Sequence, residues 1–196
     1  VSDRPRPAVP PAPVGSNTVN PFIMADNAAE LIEFLEYVFG AIDVPEARTL
    51  DGDGTILHSE LLIGDSMITV ADRKADWPFT PAFTRVYVDD VDATLERAVQ
   101  RGGRIVTNPT DFWGDVFSRF VDPQQNLWWV YAHNPAPADT GDADSQTWSG
   151  TWTEPDAEPN AEPGADETWE SYSSPELTYI HSTLLEAVAS LRDPRR

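Results

Sequence analysis

Two stretches of this chain repeat one order of elements, and that repeat restricts the fold more than any single residue does. The first reads as a strand over Asn20–Ala25, a helix over Ala28–Phe39, then strands near Val44–Leu50, Ile56–Ile63 and Met67–Ala71. The second reads as a strand over Phe83–Val88, a helix over Val91–Arg101, then strands near Arg104–Thr107, Val116–Val121 and Leu127–Tyr131. Ala28, Leu31, Ile32, Leu35 and Phe39 give the first helix one apolar face, and Val91, Leu95, Ala98 and Val99 do the same for the second. Gly40 follows the first helix and Gly102 and Gly103 the second, where a left-handed cap favours glycine. Two βαβββ units in about 115 residues leave a small menu of α+β folds.

The flanks have a different character. Residues 1–17 are Pro-rich and predict an extended, disordered leader before a packed domain over 18–133. Residues 134–173 hold Asp, Glu, Pro, Gly and Trp without a Lys or Arg, a composition that cannot bury a core alone. Within it, Trp148 and Trp152 are unexpected, and suggest docking into the chain's own cleft or onto a partner. Over 174–192 a helix is expected, capped either by Ser173 with Glu176 at capping-box spacing or by Ser174 with Pro175 at the first position, and with an apolar face of Leu177, Ile180, Leu184, Val188 and Leu191. That amphipathic helix predicts packing in a groove or reinforcement of a dimer.

Charge and cysteine content exclude several function classes. Asp and Glu number 33 against 13 Lys and Arg, a net charge of -20, which repels phosphate backbones and makes nucleic acid an unexpected partner. The same field favours cationic ligands or a basic protein surface. With no cysteine there is no disulfide, thiol nucleophile or cysteine-bound zinc, in keeping with a cytoplasmic location. The leader lacks an apolar stretch of the secretory kind, and no apolar run reaches bilayer length, so no membrane association is expected.

The segments VNPFIMADNAAELIEFLEYVFGA, ILHSELLIGDSMITVAD and TDFWGDVFSRFVDPQQNLWWVYAH resemble the PhnB-like branch of the glyoxalase, bleomycin-resistance and dioxygenase group, the vicinal-oxygen-chelate superfamily. The third is the most specific, with its WGD, DP turn and tryptophan-containing strand. The resemblance implies paired βαβββ modules whose mixed sheet curls around a cleft, a homodimer, and in many relatives a divalent metal. It assigns the ligand positions to Asn20, Thr69, Phe83 and Trp129, where no His, Asp or Glu stands, and none flanks them. An amide and a hydroxyl make a poor first-row site, so no metal or other cofactor is expected there.

Strand alternation then selects the side chains that share the cleft. With Trp129 inward, so are Leu127 and Tyr131; Phe83, Arg85 and Tyr87 form a second set, Met67, Thr69 and Ala71 a third, Asn20, Phe22 and Met24 a fourth. Trp113, in the WGD turn, covers the mouth or anchors a loop. The expected ligand-binding residues are thus Asn20, Phe22, Thr69, Phe83, Arg85, Trp113, Trp129 and Tyr131, a surface for a small aromatic or cationic molecule. Against this stands the plainer expectation that the rings fill a small core. His58 and Glu60, two apart on a strand, face one side and form a candidate catalytic pair or nonstandard metal ligands; equally, they make a structural hydrogen bond. His133 and His181 read as exposed, and Asp51–Gly54 as a turn. Three readings follow: a small-molecule binding protein without the metal, a glyoxalase-like lyase, isomerase or dioxygenase using His58 and Glu60, and an interaction module acting through the acidic segment and last helix.

Overall fold

A computed structural model describes residues 12–13, 15–112, 114–134 and 174–196 of the chain. Its elements are β1 (Phe22–Ala25), α1 (Ala28–Phe39), β2 (Ile42–Leu50), β3 (Ile56–Ile63), β4 (Ser66–Asp72), β5 (Phe83–Tyr87), α2 (Val91–Gln100), β6 (Arg104–Phe112), β7 (Asp115–Val121), β8 (Leu127–Ala132) and α3 (Pro175–Ser190). Two four-stranded mixed sheets result, with the orders β1-β4-β3-β2 and β5-β8-β7-β6. In each, the first strand pairs parallel with the fourth and the remaining pairs are antiparallel. The repeat seen in the sequence is therefore a repeat of topology, two βαβββ modules in an α+β fold.

Local chemistry sets the helix ends. Asn27 caps α1 by accepting from the Glu30 N–H at 3.1 Å, and Gly40 closes it at φ 66°, a conformation that only glycine adopts without strain. Asp90 caps α2 by accepting from the Ala93 N–H at 2.9 Å. The buried stripe of α2 is Val91, Thr94, Leu95 and Ala98, while Val99 is 50% exposed. Val99 was expected in that stripe; it lies about 90° around the helix from the stripe's centre, and Thr94 takes its place. Thr94 is tolerated there because its hydroxyl donates to the Asp90 carbonyl at 2.7 Å.

Several strand limits also differ from the sequence reading. β1 starts at Phe22, so Asn20 precedes it, its amide exchanging hydrogen bonds with the Asn17 backbone. β6 continues past Thr107 to Phe112, with register shifts either side of Thr107, and β2 starts at Ile42 with its own shifts beyond Val44. Both are edge strands carrying a proline (Pro109 and Pro45), and a residue without an N–H is accommodated at an edge or a bulge.

One core serves both modules. Ile23, Leu61, Ile68 and Val70 from the first sheet meet Val86, Phe120, Trp128 and Val130 from the second around Leu31, Leu35, Val38, Leu95 and Ala98 of the helices. The helix-bearing faces of both sheets are thereby consumed in packing, and the opposite faces lie outside this core. The DP turn joins the parts. Buried Asp122 accepts from the Asn126 N–H, the Asn126 amide and the Trp128 indole, each at 2.9 Å. Asn126 in turn accepts from the Ala82 N–H at 2.9 Å, and Gln124 accepts from the Asn27 N–H at 3.0 Å, tying the turn to β5's approach and to α1's cap.

Ser174 caps α3 and Pro175 opens it. The helix lies on the outer face of the second sheet, where the Thr107 and Thr183 hydroxyls are 2.8 Å apart and the Tyr179 hydroxyl accepts from the Asn108 N–H at 2.9 Å. Val121, Leu127 and Ala187 form a small buried cluster beneath it, with Trp129 and Leu184 partly buried at its side. Beyond the helix, Asp193 accepts from both terminal nitrogens of buried Arg73, at 3.1 and 2.5 Å. The expectations placed on residues 1–11 and on 135–173, including Trp148 and Trp152, fall outside the described residues.

Candidate functional site

Strand pairing places the expected residues in rows. On the first sheet Phe22, Thr69 and Glu60 are register partners across β1, β4 and β3, with Val44 beyond on β2. On the second sheet Arg85, Trp129, Arg119 and Thr107 form the corresponding row across β5, β8, β7 and β6. The next row there is Tyr87, Tyr131 and Phe117. Alternation thus does what the sequence reading requires: Val86, Trp128 and Val130 enter the helix-side core, and Phe83, Arg85, Trp129 and Tyr131 take the other face.

Phe22, Phe83 and Tyr87 do not fill a core. Phe22 is 52% exposed, Phe83 54% and Tyr87 55%. Their contacts run within each sheet. Phe22 lies 6.3 Å from the His58 ring, Phe83 meets Trp129 edge-on at 5.8 Å, and the Arg85 guanidinium sits 5.5 and 5.6 Å from the rings of Tyr87 and Tyr131. Between the modules a groove of about 370 Å³ is lined by Asn17, Val19, Pro21 and Ser66 on one wall and by Arg85 and Tyr87 on the other. Asn20 therefore lies beside this groove with its amide already committed to Asn17. Thr69 is buried in its row, and Trp113 is outside the described residues.

His58 Nε2 lies 3.2 Å from Glu60 Oε1, both side chains about one third exposed (37% and 30%). Either a proton-transfer pair or a structural contact has this geometry. The Glu60 carboxylate stands next to Thr69 in the register, which puts the pair on the same face as Phe22. His133 pairs instead with Asp115 at 2.8 Å, at the far end of β8.

The metal positions that the fold implies carry donors that do not fit a divalent ion. Phe83 and Trp129 offer none, the Asn20 amide is engaged, and the guanidinium-bearing residues Arg85 and Arg119 flank Trp129 in the register. Two cations beside the position oppose a third. Among the described residues no three His, Asp or Glu side chains are grouped to hold an ion.

Sequence reasoning passed over Arg119, which the structure puts at the centre of the second face. It is buried, with its guanidinium near two rings: Phe117 at 4.6 Å and Trp129 at 5.1 Å. Its Nη1 donates to the Ile180 carbonyl of α3 at 2.8 Å and to the Thr107 hydroxyl at 3.3 Å. Burial pushes its pKa down to about 10. Burial likewise raises the Tyr131 phenol above its ordinary value, against the pull of Arg85 and Arg119. The signal was present as a lone arginine in the apolar strand VFSRFV, in phase with Phe117 and Val121.

Residues 17–130 match the family model described as the glyoxalase/bleomycin resistance protein/dioxygenase superfamily. An uncharacterized protein of Mycobacterium bovis is 29% identical over 122 residues, covering 56% of this chain and 79% of its own length. Its Mycobacterium tuberculosis counterpart is also 29% identical over 122 residues, covering 56% and 71%. Among solved structures, the fosfomycin resistance protein FosX of Listeria monocytogenes aligns with a TM-score of 0.50 at 16% identity, covering 61% of this chain and 95% of that one. TioX from Micromonospora sp. ML1 aligns with a TM-score of 0.48 at 23% identity, covering 62% and 99%. At these identities the likeness is one of fold alone.

Proposed function

The chain belongs to the glyoxalase/bleomycin resistance protein/dioxygenase superfamily, and we propose that it binds a small planar aromatic molecule on the sheet faces turned away from α1 and α2. The observation that carries this reading is the half-exposure of Phe22, Phe83 and Tyr87 on those faces. Covering the exposed half of one such ring contributes about 1 kcal/mol, so several together favour an apolar, flat occupant. Of the aromatic and cationic ligands that the sequence suggests, the aromatic one is favoured, because Arg85 already occupies the faces of Tyr87 and Tyr131. The reading extends to a PhnB-like homodimer acting in the cytoplasm without a resident metal or other cofactor. The WGD and DP motifs, the exposed Ile42, Leu50 and Leu185, the lack of cysteine and the unfitting donor set support those parts in turn. No helix among the described residues is long and apolar enough to cross a membrane.

Calorimetric titration of the full chain with indole, quinoline and acridine tests the proposal. At least one is expected to bind, and Phe83→Ala or Tyr87→Ala to weaken it about fivefold or more. Absence of binding, or affinity unchanged in these variants and in Phe22→Ala, overturns it. A second reading, a glyoxalase-like lyase, isomerase or dioxygenase, is favoured by the His58–Glu60 contact beside Phe22. Its support would be stoichiometric metal in protein purified without chelator, lost in His58→Ala.

A further inference from the structure

The inference below rests on the binding proposal above and names a chemistry for its second face. Arg119 is 4% exposed, yet no carboxylate pairs with it among the described residues. Its Nε is buried without a hydrogen-bond partner. What its Nη1 meets is a backbone carbonyl of α3 and a hydroxyl, both neutral. A guanidinium removed from water needs an anion or a full set of acceptors, and a buried one with neither weakens the fold unless it has another use. The guanidinium lies 4.6 Å from the Phe117 ring and 5.1 Å from the Trp129 ring, and cation–π contact with both limits where its donors can point.

The cover over this group is thin. Among the described residues Val121, Leu127 and Ala187 form the buried cluster beneath α3, with Val106, Trp129, Leu184 and Leu191 packed against it, whereas the main core joins twenty buried residues from both modules. Polar contacts add to these: Thr183 to Thr107, Tyr179 to Asn108, Ser190 to Arg104 and Asp193 to Arg73. Such contacts exchange readily with water when a helix lifts. The Ile180 carbonyl, the end of a dipole carrying partial negative charge, sits where an oxyanion would accept from the same nitrogen.

We propose that Arg119 is the anion-recognising group of a binding site on the second sheet, for a planar aromatic molecule bearing an oxyanion such as a carboxylate, and that α3 is a displaceable plug whose Ile180 carbonyl keeps the place of that oxyanion. The ring of the ligand lies on Trp129 beside Phe83, and its oxyanion takes Nη1 in place of the Ile180 carbonyl. Arg85, two strands away in the same row, adds positive potential that offsets the acidic chain as a whole at physiological salt.

The test uses the full chain and three probes, benzoate, benzamide and quinoline, read by calorimetry and tryptophan fluorescence. Benzoate is expected to bind, to bind about tenfold tighter when Thr183→Val and Asp193→Asn together loosen α3, and to be lost in Arg119→Met. Benzamide, matched in shape but neutral, is expected to bind at least about tenfold more weakly than benzoate. A purely structural post would make Arg119→Met melt well below the parent; removal of an unpaired buried charge is expected to leave the melting temperature equal or higher. Benzoate binding that Arg119→Met leaves intact, or no gain on loosening α3, overturns the proposal. Quinoline separates the failures, since binding that depends on Phe83 or Tyr87 keeps the earlier reading standing when benzoate fails.

Discussion

Asp122 offers the sharpest test of how the second module is held together. Its carboxyl is buried in the DP turn and accepts three hydrogen bonds from Asn126 and Trp128, all of which favour the ionised form. Burial outweighs them and pushes its pKa from 3.8 up to about 6. A carboxyl with a raised folded-state pKa contributes stability that is complete below pH 3.8 and is lost as pH rises through about 6. The loss totals about 3 kcal/mol, of which about 1.4 kcal/mol falls between pH 5 and pH 8. Self-repulsion of a chain of net charge -20 also grows over that range, so the comparison has to be made against Asp122→Asn. That variant turns an amide N–H₂ toward donors that Oδ2 now accepts from, and is expected to lie about 2 kcal/mol below the parent at pH 5, with the gap narrowing as pH rises. Its decline from pH 5 to pH 8 should nevertheless be shallower than the parent's by about 1.4 kcal/mol. Urea unfolding followed by tryptophan fluorescence at four pH values in that window measures both. Parallel pH profiles for parent and variant would refute the assignment of this penalty to Asp122.

Other consequences follow from the same packing. Gly103→Ala should cost clearly more than Gly40→Ala in thermal unfolding, because a Cβ at Gly103 meets the Ala98 carbonyl oxygen at 2.8 Å; at Gly40, where φ is 66°, the cost is the left-handed strain of about 1 kcal/mol. Asn126→Ala removes the acceptor for the Ala82 N–H and one donor to Asp122, and should destabilise by about 2–3 kcal/mol in urea titrations. Arg73 holds the Asp193 carboxyl down to about 2, so the stability it lends is present above pH 3.8 and fades as pH falls toward 2. An Asp193→Asn chain lacks that stability from the start, so acid unfolding monitored by circular dichroism should begin at higher pH in the variant, while the parent's stability falls more steeply as pH drops toward 2.

The sequence by itself determined the module. Apolar period, glycine after each helix, and cap residues Asn27 and Asp90 are local properties, and a βαβββ order written twice admits few packings. Strand alternation also carried through, since a period of two fixes which of Trp128 and Trp129 enters the core once one neighbour is placed. The limits that moved were the ones local pattern does not set: the β6 and β2 edges, where prolines sit at bulges, and the α2 stripe, where Thr94 displaced Val99. Only the tertiary structure decided that Phe22 and Phe83 stay half-exposed while α3 closes over Trp129, on the same face as Phe83. It alone showed Arg119 buried without an anion, because a partner 61 residues away on α3 leaves no trace in the spacing of a strand. Whether a charged side chain in an apolar strand meets water, a carboxylate or a backbone carbonyl depends on what arrives from elsewhere in the chain, and that is a property of the assembled fold.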